Sequence, residues 1–276
     1  MPELPEVETT CRGIAPHLTG RRIVDWTLRV PALRWPVELP ACLRGQRIGT
    51  VRRRGKYLLI EVDDGALVVH LGMSGNLRIL SPETPLLKHD HFDLLLDSGR
   101  ILRFNDPRRF GSLHWQRAPA EEHWLLAGLG VEPLTPEFDG PYLKAAARGR
   151  RVAIKNLLMD GRVVVGVGNI YANEALFLAG IRPSRAAGRV TLAACDALAE
   201  AVKRVLGAAI EMGGTTLRDF VNQDGQPGYF RQSLWVYGRE GEPCKVCGTP
   251  LKGTRLGQRA TVFCPQCQPA RSTQRR

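Results

Sequence analysis

The chain has 276 residues, with 39 Lys+Arg against 27 Asp+Glu and a formal net charge of +12. That length exceeds one ordinary domain, the 43% hydrophobic fraction supports a real core, and the cationic excess favours a polyanionic partner. No apolar run nears a membrane span of roughly 18 residues, no leader opens the chain and no basic amphipathic helix stands out, so nucleic acid is favoured over a lipid surface. Seven cysteines, an odd count without a secretory signal, point to a reducing, cytoplasmic setting and against a disulfide framework.

The chain opens Met-Pro-Glu-Leu-Pro-Glu-Val-Glu. Pro2 is a small residue of the kind that permits removal of Met1, which would expose a secondary amine beside the carboxylate of Glu3. An α-amino group with a pKa of about 7.7–8.0 is partly neutral near pH 7. Amines attack carbonyl-like carbons to form Schiff bases, and an adjacent carboxyl group can move protons. The same residues also suit a plain helix start, with Pro5 early and Glu6 and Glu8 near the positive end of the dipole. Val7, Cys11, Ile14 and Leu18 recur at helical spacing and predict a helix over 5–18, stopped by Gly20.

Short β-like runs follow at 23–30, 48–53, 57–62, 66–71, 77–80, 92–96 and 101–104. Asp63-Asp64-Gly65 and Asp97-Ser98-Gly99 separate apolar runs as hairpin loops do. The pattern suggests an antiparallel sandwich or barrel ending near Gln116. Lys56 starts an apolar strand, where a lysine is either partly desolvated and catalytic or simply part of the solvated run Arg52-Arg-Arg-Gly-Lys. Gly72 and Gly75 flank Met73, and Arg108-Arg109-Phe110 sets two cations beside a ring. Apolar wedges with cations nearby suit insertion between base steps; core packing is the plain alternative for Met73 and Phe110. His89 and His91 have no third or fourth metal ligand at sensible spacing, so His89 reads equally as a phosphate donor.

After a proline-containing connection the pattern turns helical at 142–148, 152–159, 169–179 and 191–212, with Thr191 as an N-cap and Gly213-Gly214 as a stop. Strands first and helices second predict an α+β multidomain chain. Residues 222–230 have loop chemistry. Cys244, Cys247, Cys264 and Cys267 form Cys-x2-Cys-x16-Cys-x2-Cys, the spacing of a closed tetrahedral Zn²⁺ site on a hairpin. From 251 to 276 there are six Lys/Arg and no Asp/Glu, cations suited to a phosphate backbone.

Together these stretches resemble one family, the bacterial formamidopyrimidine-DNA glycosylases. The matching segments are Pro-Glu-Leu-Pro-Glu-Val-Glu, Gly55-Lys56-Tyr57, His70-Leu-Gly-Met-Ser-Gly, Lys88-His-Asp-His, Asp106-Pro-Arg-Arg-Phe-Gly, Val165-Gly-Val-Gly-Asn-Ile-Tyr, Gly213-Gly-Thr-Thr-Leu, Gly228-Tyr-Phe and the four cysteines. The resemblance runs from residue 2 to 267. It implies an N-terminal β-sandwich carrying the first helix (1–117), a linker (118–135), a helical domain with a helix–two-turns–helix motif (136–222), a lesion loop and connection (223–234), a zinc β-hairpin (235–269) and a basic tail (270–276), with DNA in the cleft between the lobes.

It also implies excision of oxidised purines from flipped-out nucleotides, followed by strand cleavage. Pro2 would be the nucleophile, Glu3 would protonate the sugar ring oxygen, Lys56 would move the proton in the first elimination and Arg259 would serve the second. A guanidinium is a poor proton donor, so positioning of phosphate would be a large part of the role of Arg259. Met73, Arg108 and Phe110 would fill the gap, and His89, Arg108, Arg150 and Asn169 would contact DNA, with Lys155 near the lesion pocket. The family is usually lysine-rich where this chain has Arg148-Gly-Arg-Arg151, so the phosphate contact falls on Arg150 or Arg151, and arginine changes its geometry. The resemblance implies a nucleoid-associated monomer with one structural zinc and no small-molecule cofactor. Two rivals are a sister enzyme for oxidised pyrimidines, disfavoured by Leu4, Val7 and the 222–230 loop, and a non-catalytic zinc-ribbon binder, which leaves Pro2, Glu3 and Lys56 unexplained.

Overall fold

The computed structural model of the chain describes residues 2–214 and 234–270; the loop expected at 222–230 and the tail lie outside the described residues. Contacts divide the chain into two compact units, Met1–Gly128 with Ile210–Phe230 and Leu129–Ala209 with Arg231–Arg276. Among the described residues no helix is long and apolar enough to cross a membrane.

In the first unit helix α1 (Leu4–Leu18) is followed by strands β1 (Ile23–Leu28), β2 (Ile48–Arg54), β3 (Tyr57–Val62), β4 (Gly65–His70), β5 (Asn76–Leu80), β6 (Asp90–Leu96), β7 (Ile101–Asn105) and β8 (Ser112–Arg117). They form two four-stranded antiparallel sheets, ordered β1-β6-β7-β5 and β2-β3-β4-β8. One apolar cluster joins both sheets, with Leu58, Ile60, Leu67 and Val69 from one and Phe92, Leu94, Leu102 and Phe104 from the other. Val7, Cys11, Ile14 and Leu18 of α1 enter the same cluster, so the helix spacing read from sequence is the face that packs. The turn 63–65 closes β3–β4, and 97–99 lies between β6 and β7. Strand β8 has no counterpart among the expected runs. It carries Ser112, His114 and Gln116 alternating with apolar residues at the sheet edge, and its outer half is only partly buried.

In the second unit are α2 (Gly140–Ala147), α3 (Ile154–Leu158), α4 (Asn169–Leu178), all but the last residues of α5 (Leu192–Glu211), and the hairpin β9 (Lys252–Leu256) and β10 (Arg259–Phe263). The helix α3 starts later than the periodicity suggests because Ala153 pairs with Ala186 in an extended bridge and Val152 O accepts the Ala187 N–H. The start of α2 is earlier, capped by Asp139, whose carboxylate accepts the Tyr142 N–H at 2.7 Å. Thr191 Oγ1 accepts the Ala194 N–H at 3.2 Å, as an N-cap does.

Helix α4 is the post of this unit. Asn173 Oδ1 accepts the Val262 N–H of β10 at 2.9 Å. Glu174, fully buried, accepts three consecutive backbone N–H groups, from Trp235 at 2.7 Å, Val236 at 3.0 Å and Tyr237 at 2.8 Å. Burial pushes the Glu174 carboxyl above its ordinary range, and the three donors pull the other way. Phe177 stacks on Trp235 and joins Val236, Cys244, Leu251, Val262 and Cys264 in a small apolar cluster.

Replacing Glu174 by Gln turns an amide NH₂ toward those donors. The expected loss is about 2–3 kcal/mol, the usual effect of stranding buried polar groups, measured by urea denaturation at constant zinc.

Candidate functional site

The first unit holds the N-terminal residues and two turns. Pro2, Glu3, Leu4 and Pro5 are all buried. Glu3 is the N-cap of α1 and shares a capping box with Glu6: the Glu6 carboxylate accepts the Glu3 N–H at 2.8 Å, and the Glu3 side chain accepts the Glu6 N–H. Gly214, with a φ of +85°, lies against the same turn; a Cβ there would stand 3.2 Å from the Glu6 side chain. The Gly213-Gly214 pair therefore stops α5 and lets the backbone approach the start of α1.

Lys56 sits in the two-residue turn between β2 and β3, with Gly55 at a left-handed φ of 58°. Arg53 ties this turn to α1. Its Nε donates to Glu8 at 2.8 Å and its Nη1 to Gly55 O at 3.1 Å. Burial alone would raise the Glu8 carboxyl, but the Arg12 and Arg53 guanidiniums hold it below the ordinary carboxylate range. So the helix that Glu3 caps and the turn that carries Lys56 share one partly buried ion pair.

The second element of this unit is a pair of interlocked turns. Asp106, fully buried, accepts from Ser74 Oγ at 2.7 Å and from the Gly111 N–H at 2.8 Å, while Ser74 Oγ accepts the Arg108 N–H at 3.2 Å. Arg109 takes a left-handed φ of 53°, which folds the chain back so that Gly111 can reach Asp106. A Cβ on Gly72 would stand 2.3 Å from Gly111 N and 2.4 Å from the Phe110 carbonyl carbon. The backbone next to Met73 is thus packed against the backbone of Phe110 and Gly111. Met73 is half-buried and Phe110 is 46% exposed, with the Arg108 guanidinium 4.9 Å above its ring. Phe110 is not a core residue. His89 is anchored beside them, since its carbonyl accepts the Asp106 N–H at 3.0 Å.

His70 completes the arrangement. Its Nδ1 accepts the Gly72 N–H at 2.9 Å. Burial, together with the charges of Lys56 and Arg34, lowers its pKa to about 4. A neutral imidazole is what the Gly72 N–H requires, because a protonated ring has no acceptor.

In the second unit the four cysteine sulfurs lie within 4.8 Å of one another. Cys247 and Cys264 are 3.5 Å apart, Cys247 and Cys267 3.5 Å, and Cys244 and Cys267 3.9 Å. A tetrahedron with Zn–S bonds of about 2.3 Å requires sulfurs about 3.8 Å apart, so the set fits one structural Zn²⁺. Lys252, Arg255 and Arg259 on the hairpin are exposed, and Arg259 follows the Gly257-Gln258 turn, both residues of which have positive φ.

Asn169 opens α4, with its Oδ1 buried and, among the described residues, without a hydrogen-bond partner. Arg150 is exposed and approaches Asp160 at 4.0 Å. Lys155 is fully buried; its Nζ donates to Ala260 O at 2.8 Å and to Thr261 Oγ1 at 2.7 Å, joining α3 to β10. Neither the Arg53–Glu8 pair nor Glu174 has a signal in sequence. Asp106 and Ser74 do, because both sit inside motifs that stand out through their neighbours.

A family model described as the formamidopyrimidine-DNA glycosylase N-terminal domain matches residues 1–113, a second described as the formamidopyrimidine-DNA glycosylase H2TH domain matches 129–221, and a third described as a zinc finger found in FPG and IleRS matches 241–270. The chain is 62% identical over 269 residues to a formamidopyrimidine-DNA glycosylase of Alcanivorax borkumensis, covering 97% of this chain and 100% of that protein. It is 60% identical over 270 residues to the one of Methylococcus capsulatus, with the same coverage. Among solved structures it is similar to the MutM (Fpg) protein of Thermus thermophilus, with a TM-score of 0.87, 42% identity and coverage of 97% and 98% of the two chains. It is also similar to the Lactococcus lactis Fpg in complex with DNA containing an abasic site, with a TM-score of 0.88, 32% identity and coverage of 97% and 99%.

Two outcomes are expected. A histidine whose folded pKa lies below its unfolded value contributes stability that is complete above the unfolded pKa and is lost as pH falls. For His70 that window runs from about 6.5 down to about 4, so His70→Gln should show a shallower fall of stability across it than the parent in denaturant titrations at stepped pH. Stripping the zinc with a chelator should unfold the 244–267 module and weaken DNA binding. Circular dichroism and a binding titration, each with zinc restored as the control, check this.

Proposed function

Because the chain belongs to the formamidopyrimidine-DNA glycosylase family, we propose that it is a bifunctional DNA glycosylase and abasic-site lyase of base excision repair, acting on oxidised purines such as 8-oxoguanine and formamidopyrimidines in duplex DNA. The observation that carries the reading is the seat of Pro2 and Glu3, buried at the capped start of α1.

With Met1 removed, the Pro2 amine attacks the anomeric carbon of a flipped-out nucleotide. A bond forms from nitrogen to that carbon, and the glycosidic bond breaks, its electron pair leaving with the base. Glu3 protonates the ring oxygen as the sugar opens, which leaves a protonated Schiff base. Its positive charge acidifies the neighbouring C–H. Loss of that proton expels the 3′ phosphate, with Lys56 moving the proton, and a second elimination expels the 5′ phosphate. Hydrolysis then frees Pro2 and leaves a gap with phosphates at both ends.

Met73, Arg108 and Phe110 suit the space vacated by the flipped base. The packed Gly72–Gly111 turns support that role, because they fix an exposed ring and a cation side by side. His89, Arg150 and Asn169 are assigned to phosphate contacts, and Arg259 to phosphate positioning during the second elimination. Lys155 acts from beneath, as the strut that holds β10 and so Arg259 in place. The relative from Lactococcus lactis was solved with DNA containing Fapy-dG and with abasic DNA, which supports the substrate class. The enzyme is assigned as a monomer of the bacterial cytoplasm, bound to the nucleoid through DNA.

Protein with Met1 removed should excise 8-oxoguanine from a duplex and leave a gapped strand. Protein that retains Met1 should bind the same duplex within a few-fold and release no base. Full excision by verified Met1-bearing protein would overturn the role of Pro2, and much faster removal of thymine glycol than of 8-oxoguanine would move the enzyme to the pyrimidine branch.

A further inference from the structure

Residues 150–155 and 183–190 run antiparallel outside any regular sheet. Ile154 N–H donates to Arg185 O at 2.8 Å, Ala187 N–H to Val152 O at 2.8 Å and Gly188 N–H to Arg150 O at 2.9 Å. Gly188 lies tight in this frame; a Cβ would stand 3.1 Å from Arg150 O and 3.3 Å from Ala147 O. The pairing gathers five arginines on one short stretch of backbone: Arg150 and Arg151 on one strand with Arg148 just before it, and Arg185 and Arg189 on the other.

Four of the five are exposed and Arg185 is half-buried. Arg150 approaches Asp160, a carboxylate already held by Arg162 at 3.1 Å. Among the described residues Arg148, Arg151, Arg185 and Arg189 make no ion pair. Further cations stand at both ends. Lys144 Nζ donates to Val190 O at 2.6 Å. Arg182 lies 4.2 Å over the Phe263 ring and donates to Gln268 O at 2.6 Å. Burial lowers the Arg182 pKa, and the charge of nearby Arg185 adds to the fall. Through Arg182 and Lys155 the frame is pinned to the zinc module, so the arginines sit on a rigid base and not on a loose loop.

Like charges gathered without counter-ions disfavour the fold, and a polyanion removes that cost while releasing its own counter-ions. On a held backbone only side-chain freedom is lost when a guanidinium meets phosphate, and its planar fork can match phosphate with two donors. We propose that Arg148, Arg185 and Arg189 extend the contact of Arg150 and Arg151 into a phosphate-binding ledge that takes the backbone of duplex DNA. This rests on the reading of the chain as an enzyme of damaged DNA. It takes in Arg148 at the edge of the marked 148–151 stretch and adds Arg185 and Arg189, which no motif in the sequence marked.

The test compares the full-length, zinc-loaded parent with the double variant Arg185→Gln/Arg189→Gln. The probe is a duplex holding an uncleavable abasic-site analogue, titrated across a range of salt. Each lost phosphate contact flattens the slope of log affinity against log salt by about 0.9, so the double variant should lose about 2 from the slope. Its thermal midpoint should match the parent, and Arg185→Lys/Arg189→Lys should recover most of the slope. A parent-like slope in a folded Gln variant overturns the ledge and leaves the enzyme reading standing. Failure of the Lys pair to recover a lost slope assigns the loss to something other than charge and also overturns it. A parent that does not hold the lesion duplex at all overturns the DNA reading itself, and the ledge with it.

Discussion

A chain terminus is ordinarily the least ordered part of a fold, and here the proposed chemistry needs one held still. The answer lies in the first turn of α1. Glu6 and Glu3 cap each other, Pro5 occupies a first-turn position where its missing N–H is no loss, and Leu4 and Val7 are buried as soon as the helix begins. Successive turns of α1 contribute to the sandwich core, so moving the first turn means disturbing the cluster shared by both sheets. The Arg53–Glu8 pair then sets the Lys56 turn against the same helix. A nucleophile that is a backbone nitrogen cannot be positioned by choosing a rotamer; only the packing of the helix behind it can do so.

The second unit meets the opposite difficulty. Its hairpin is too small to bury a core of its own, and it must present cations to solvent. Zinc closes the hairpin from one side. From the other, Asn173, Glu174 and Lys155 offer buried polar groups to backbone atoms of 235–237 and 260–262. Each bond satisfies a main-chain group that a short irregular segment leaves open. The surface above stays free for charge, which is why Lys252, Arg255 and Arg259 are exposed while the lysine beneath them is not.

Much of this is legible in the residue order. The spacing of Val7, Cys11, Ile14 and Leu18 is the packed face of α1, the Asp-rich glycine turns lie between the strands expected on either side of them, and the cysteine spacing matches the clustered sulfurs. Strand β8 is not legible, because an edge strand with polar residues on its outer face has no strong apolar run. Periodicity overextends helix α3 because Val152 and Ala153 suit a helix locally, yet their backbone groups pair across to 186 and 187. For single residues the limit is sharper. Lys155 reads from motif order as a lysine near the lesion pocket, and that order does not show that it is buried and bonded to Ala260 and Thr261; Glu174 reads as an ordinary helix glutamate. Sequence order carries no record of which backbone N–H a side chain will meet from about 60 residues away, as Glu174 does.

The proposed chemistry stands on the identity of one nitrogen. Its most direct measurement is reduction with borohydride during turnover on an 8-oxoguanine duplex, followed by digestion and mass-spectrometric mapping of the peptide that carries the sugar. The expected result is a single reduced adduct on the α-nitrogen of Pro2, in chains that have lost Met1. An adduct on Lys56 or another side chain, or no adduct from a preparation that excises the base, would contradict it.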